Sequence, residues 1–376
     1  MIGRVAPGSS FELFQFALFA HIPVLLFAPL FGSFIDRANR ATVLVVVDVV
    51  RGLIVASVPF LFHMTGSLYA FYVTTSFLSL ANLLFAPAKS AAIPEYFGRL
   101  SLLRINAILW GIGIVGTIGG FLLGGVLFDY RSWEWSFYSD AASYLVSVVF
   151  LLPLLWLPRR PESPAPEDPA ALPDPPKGGP SGSFREALAL LRSDPNVASG
   201  MILQTCLLGI FGVLYVAGIA RVQEVLPPGK TMYLSAIAVA GTVGLLVGSL
   251  LTEVTRAKIP LARLIGASAV ILGIAMIGVS RSESFPAFIV WTALMGLFFS
   301  PMMVVSETLL QTHTPAKFRG RVFAAREVAV KVAFLATSLA ATLSAAVVDK
   351  AVIIIVTGVL LAVLGIWIER KDYLRI

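Results

Sequence analysis

Residues 41–62 read Ala-Thr-Val-Leu-Val-Val-Val-Asp-Val-Val-Arg-Gly-Leu-Ile-Val-Ala-Ser-Val-Pro-Phe-Leu-Phe. The run is apolar except for two hydroxyls, Thr42 and Ser57, and two charges, Asp48 and Arg51. About 20 apolar residues at 1.5 Å each cover the ~30 Å hydrocarbon core of a bilayer. A barrel strand would instead alternate over about ten residues. The stretch therefore predicts a membrane-spanning helix. Ten more of the same kind follow from the pattern, at 14–35, 68–86, 107–128, 135–157, 197–218, 231–251, 261–279, 285–305, 323–347 and 351–368. The expected class is an all-α polytopic membrane protein with about eleven spans.

Composition supports this class and excludes others. The 376 residues are 57% hydrophobic and 13% charged, with mean hydropathy +0.88. A soluble domain is about 45–50% apolar and about 25% charged, and a disordered chain needs low hydrophobicity. The single cysteine, Cys206, excludes disulfide frameworks and thiolate metal clusters. His21, His63 and His313 are too scattered for a metal site, so neither metal nor cofactor is expected. Residues 1–13 lack the basic-then-apolar pattern of a signal peptide.

The net charge of +7 is a topology signal. The segments 36–40, 87–106, 158–196, 252–263, 306–331 and 369–376 hold 21 Lys and Arg, and the alternate segments hold 6. Basic loops face the cytoplasm, which puts the C-terminus inside and the N-terminus outside. No basic soluble module is present to bind nucleic acid.

The chain divides at 158–196. Nine prolines fall within 158–183, a composition that forms an extended linker rather than a core. Phe184, Leu188 and Leu191 then share one helical face beside Arg185, Glu186 and Arg192, which predicts a short amphipathic helix at the interface. The expected domains are a five-span bundle at 1–157, this linker, and a six-span bundle at 197–376. A weak repeat links the two bundles. Gly32-Ser33 is followed by two apolar residues, a polar turn and Arg40; Gly248-Ser249 is followed likewise, ending at Arg256. The second copy sits deeper in its half by about 20 residues, the length of one spanning helix. The sequence thus reads as a twelve-helix design without its first helix.

Gly32-x-x-x-Asp36-Arg37-x-x-Arg40 resembles the signature loop of the major facilitator superfamily. The continuation through Asp48, Arg51 and Gly52 is similar to the branch of bacterial drug and siderophore exporters, the macrolide-efflux and enterobactin-exporter type. Pro87-Ala88-Lys89-Ser90-Ala91-Ala92-Ile93-Pro94 and Gln311-Thr312-His313-Thr314-Pro315, the latter leading to Arg319-Gly320-Arg321, support the same branch. Ala38-Asn39 stands where the family usually has Gly and a second basic residue. The resemblance implies a two-bundle fold. It also implies a cytoplasmic gate in which Asp36 latches onto a helix end, with Arg37 and Arg40 as partners, and a basic turn at Arg319 and Arg321 made by Gly320. Gly32 would let two helices approach closely.

Charges inside spans are expensive, about 2.5–3.5 kcal/mol each at a helix centre on the mild insertion scale. Asp48 and Arg51 are three residues apart on one face and can offset that cost by pairing. Asp140, in the fifth span, and Glu307, at the start of the loop after the ninth, are both candidates for proton exchange, and Glu307 reads first as an interfacial carboxylate. Gln15, His21, Asn82 and Gln204 read as interhelical hydrogen bonds. Gly111, Gly113, Gly116, Gly119, Gly120, Gly124 and Gly125 suggest a flexible or closely packed fourth span.

No phosphate loop is present. Gly229-Lys230-Thr231 has Glu224 where the first glycine belongs. No hydrolase elbow or metalloprotease motif occurs, so the chain is not expected to be an enzyme or to use ATP. The expected function is a secondary active exporter in the bacterial cytoplasmic membrane. It would move an amphipathic small molecule, a drug or siderophore, by alternating access, with proton antiport implied by the resemblance. Two rivals are a lipid or lysolipid translocator of the same fold and a truncated membrane protein that transports nothing.

Overall fold

The computed structural model describes residues 8–35, 39–97, 102–157, 194–227, 230–255, 258–314 and 319–371. Its long elements are all helical: α1 (Ser10–Ile35), α2 (Arg40–Thr65), α3 (Tyr69–Phe97), α4 (Leu102–Tyr130), α5 (Trp133–Leu151), α6 (Pro195–Val213), α7 (Ile219–Val225), α8 (Thr231–Thr255), α9 (Leu261–Arg281), α10 (Phe285–His313), α11 (Arg319–Ser344) and α12 (Lys350–Lys371). A π-helical turn, Leu214–Gly218, joins α6 to α7 in one continuous span, Pro195–Val225. Ten spans among the described residues are long and apolar enough to cross a membrane. The remaining long helix, α11, falls short in composition because Arg326, Glu327 and Lys331 lie within it. The Pro-rich linker and the amphipathic helix expected at 184–192 lie outside the described residues.

The opening stretch shows why these elements form where they do. Asn39 caps α2 by accepting from the Ala41 and Thr42 amides. Gly66 ends it in the left-handed conformation, φ 62°, and donates to the Phe62 carbonyl at 2.7 Å. Cap and glycine terminator satisfy backbone groups that the helix ends would leave unpaired. Helix α6 starts in the same way, with Asp194 accepting from Asn196 and Pro195 at the first turn.

The described residues group into two compact units. One is Leu18–Gly120 with Arg131–Pro180; the other is Met1–Ala17, Phe121–Tyr130 and Ser181–Ile376. In the first, α2 packs between α3 and α5. Phe62, Phe71, Trp133 and Phe137 cluster at one end of that unit, with ring centroids 5.2–5.9 Å apart. In the second, the core is Leu207, Ile265, Leu272, Met276, Met302, Leu309 and Ile354. Large apolar side chains such as Phe150, Trp156, Leu250 and Leu360 stay exposed, as a lipid-facing surface requires.

Glycines let the second unit close. A Cβ on Gly365 would lie 2.6 Å from the Gly266 carbonyl oxygen, and one on Gly358 would lie 2.6 Å from that of Gly273. This is the small-residue seam by which membrane helices come together. The fourth span behaves differently. A Cβ on Gly111, Gly113, Gly116, Gly119, Gly120 or Gly124 would meet no described atom within 4 Å, and only Gly125 of that set is tightly packed. Replacing Gly358 by Leu is expected to wedge α9 from α12 and to cost about 1–3 kcal/mol of overpacking or more. Gly119→Leu is expected to melt like the parent. Thermal unfolding of the two purified variants checks this contrast.

Candidate functional site

Each unit holds a charge cluster inside its helices. In the first, Asp48 and Arg51 are both buried on α2 and form an ion pair at 2.9 Å. The second Asp48 oxygen accepts from the Ser147 hydroxyl of α5 at 2.6 Å. Arg51 also donates to the Asn82 side-chain oxygen of α3. Its guanidinium lies 4.1 Å from the Phe85 ring centroid and 5.9 Å from that of Tyr144. Its Nε is buried with no acceptor among the described residues, so the aromatic faces supply part of the stabilisation on that side. The cluster sums to zero charge and ties three helices together. Asp140 is exposed on α5, one turn from Tyr144. Asp48 and Arg51 direct their bonds to Ser147 and Asn82 instead of to it.

The second cluster is larger. Glu307 lies within α10, which continues to His313. The expectation of a loop carboxylate is therefore corrected, because the helix extends past Pro301 for three more turns. One Glu307 oxygen accepts from Gln204 of α6 and from Arg326 of α11, both at 2.7 Å; the other accepts from Gln311 at 3.0 Å. Arg326 also donates to Glu327 at 2.8 Å, and Lys331, one turn on, binds the other Glu327 oxygen at 2.8 Å. Phe323 stacks under the Arg326 guanidinium at 4.8 Å. Two carboxylates and two cations again sum to zero. Gln204 is buried, whereas the Glu327 side chain is 51% exposed, so the cluster grades from a sealed end at Gln204 to an accessible end at Glu327.

Sequence reasoning found Asp48, Arg51, Asn82 and Gln204, and it missed Arg326, Glu327 and Lys331. The span expected at 323–347 contains them, but Arg326 and Lys331 also count among the basic residues of 306–331 and so read as topology charges. The i,i+4 spacing of Glu327 and Lys331 in an otherwise apolar run was the available signal. Of the other expected residues, Arg40 opens α2, and Gly32 lies in α1. Arg319, Gly320 and Arg321 form the first turn of α11, with side chains outside the described set, and Asp36 and Arg37 lie outside the described residues altogether. Among the described residues, no group of three or more His, Cys, Asp or Glu could hold a metal ion.

The chain matches a known family. The model of the Major Facilitator Superfamily matches residues 8–282. This chain belongs to that superfamily. An uncharacterized MFS-type transporter of Bacillus subtilis (strain 168), YfiS, is 25% identical over 362 residues, which is 92% of this chain and 81% of that protein. Among solved structures, the nucleoside transporter NupG aligns at TM-score 0.68 and 14% identity over 98% of this chain and 91% of its own. A bacterial homolog of the human lysosomal transporter Spinster, in an inward-facing, unoccupied conformation, aligns at TM-score 0.65 and 16% identity over 99% and 88%. These structures share the fold. The superfamily member described here is a multi-pass membrane transporter.

Removing Arg51 strands a buried carboxylate. Arg51→Leu is expected to cost about 3–5 kcal/mol, the loss seen when one partner of a buried pair is deleted. Asp48→Leu with Arg51→Leu is expected to recover most of it. The amount of folded protein in the membrane and its melting temperature read both outcomes.

Proposed function

We propose that this transporter is a proton-coupled exporter of amphipathic small molecules, drugs or siderophores, working by alternating access. Its site would be the Glu307–Arg326–Glu327–Lys331 cluster. The observation that carries the reading is the neutral sum of that cluster between α10 and α11, with one of its carboxylates accessible. Adding a proton to Glu327 leaves Arg326 and Lys331 facing a single carboxylate, Glu307. The uncompensated positive charge weakens the ion pairs that hold the three helices in this arrangement. Protonation therefore favours rearrangement of α11 against α10 and α6, and that link is what coupling requires. The missing phosphate loop supports a gradient as the energy source. Apolar helices with few internal polar groups suit an amphipathic cargo.

The Lys and Arg asymmetry supports a bacterial cytoplasmic-membrane location with a cytoplasmic C-terminus. The Pro-rich segment supports bundles at 1–157 and 197–376 joined by a linker. The Gly-Ser repeat supports a plan of two related halves. The exporter branch rests on the motif residues, and the gate at Asp36, Arg37 and Arg40 on the same resemblance. Asp140, beside the first cluster without joining its bonds, is assigned no coupling role.

Efflux of an amphipathic dye from everted vesicles tests the function. Transport is expected to stop when an ionophore collapses the proton gradient, and dye movement unaffected by the ionophore contradicts coupling. Glu327→Gln is expected to lower gradient-driven transport about tenfold or more while dye exchange without a gradient persists, the split that separates a coupling group from a binding group. Loss of both would make Glu327 a binding residue instead. Redistribution of a fluorescent lysolipid without dye transport would favour the lipid translocator.

A further inference from the structure

Helix α8 begins without a capping side chain of its own. The first amides of any helix need acceptors, and the residue before Thr231 is Lys230, whose side chain only donates. Helices α2, α6 and α12 solve the problem locally: Asn39, Asp194 and Asp349 accept from amides two positions on, at Ala41, Asn196 and Ala351. At α8 the acceptor comes from 102 positions away. Asp129, near the end of α4, accepts from the Thr231 amide through Oδ1 at 2.9 Å and from the Met232 amide through Oδ2 at 2.7 Å.

The helices meet closely one turn from this contact. A Cβ on Gly125 would lie 2.5 Å from the Ser235 hydroxyl oxygen and 3.3 Å from the Met232 Cα, so glycine is what allows the approach. Ser235 itself is only 8% exposed. Nearby in the chain order of the same unit, the Gly8 amide donates to the Gln223 side chain at 3.0 Å, and Lys350 pairs with Glu224. The segments around 129, 223, 231 and 350 all fall on the face that the basic-residue asymmetry assigns to the outside. A carboxylate on a helix N-terminus is charge-assisted and favoured by the helix dipole, and hydrogen bonds of this kind can be released without unfolding either helix.

We infer that Asp129 is a gating residue of this transporter: a removable cap that holds the outer end of α4 on the N-terminus of α8, and whose release accompanies opening to the outside. The inference rests on the alternating-access reading. The two groups that Asp129 accepts from are backbone amides of α8, so the role inferred for it is positioning. Its test needs neither cargo nor gradient, and its failure is therefore distinct from failure of the coupling claim.

The experiment places one reporter, Ser235→Cys, in a Cys206→Ser background. Intact cells are labelled with a membrane-impermeant maleimide. The parent is expected to label slowly. Asp129→Ala is expected to label about tenfold faster, the population change that follows from about 1.4 kcal/mol. Thr231→Pro provides a second arm: it deletes one of the two donors while leaving Asp129 in place, and proline is tolerated at a first helical position. It is expected to raise labelling in the same direction. Labelling at the parental rate in both variants overturns the inference, as does an increase seen only from the cytoplasmic face in inverted vesicles. If Asp129→Ala fails to reach the membrane, Thr231→Pro decides alone.

Discussion

A polar group in hydrocarbon has no water to fall back on, and every other feature of this protein follows from that constraint. Backbone amides and carbonyls must pair within their own segment, so the spans are helices. Side-chain charges must pair with one another, and both internal clusters sum to zero. Asp48 meets Arg51 and Ser147, while Glu307 and Glu327 meet Arg326, Lys331, Gln204 and Gln311. Pairing of this kind is weak evidence for stability as such, because desolvation offsets much of the Coulomb gain. What pairing does impose is sensitivity. On the proposed coupling, a single proton added to such a set unbalances it, and the helices that carry it rearrange.

The clusters differ in how they can use that sensitivity. The first is buried on three helices and stacked on Phe85 and Tyr144, an arrangement that fixes α2 against α3 and α5. The second opens at Glu327 and is sealed at Gln204. A structural role fits the first and a working role fits the second. The π-helical turn at Leu214–Gly218 lies on the same span as Gln204. Hydroxyls of α11 bind the carbonyls just before it, Thr337 to Gly209 at 2.7 Å and Ser338 to Gly212 at 3.1 Å. The span that carries Gln204 is thus joined to α11 both at the charge cluster and beside its own irregular turn, where π-bulges often accompany function.

Much of the fold was legible in the sequence, because span length and continuous apolarity leave few alternatives. Residues 41–62 became α2, Arg40–Thr65, extended by an Asn cap and a Gly stop that were both visible as residues. The Asp48–Arg51 pair was legible from its spacing alone. Less was legible where the signal was shared between functions. A Lys or Arg near a span end reads as topology, and this concealed Arg326 and Lys331. Glu307 was read as a loop residue because helices run on past the apolar stretch that reveals them. Asp129 carried no local sign. Its partners are backbone amides 102 and 103 positions away, and only the absence of a capping residue before Thr231 hints that an acceptor must come from elsewhere. The crowded glycines of α4 read as a flexible or a closely packed helix, and among the described contacts Gly125 alone is closely packed.

The central claim is that Glu327 exchanges a proton while the rest of its cluster stays charged. Infrared difference spectroscopy of the purified protein in lipid, stepped through pH, tests it most directly. A protonated-carboxyl band should grow as pH falls and should vanish in Glu327→Gln while the remaining spectrum is kept. A spectrum in which no carboxyl band depends on Glu327, in protein that is folded throughout, would contradict the account.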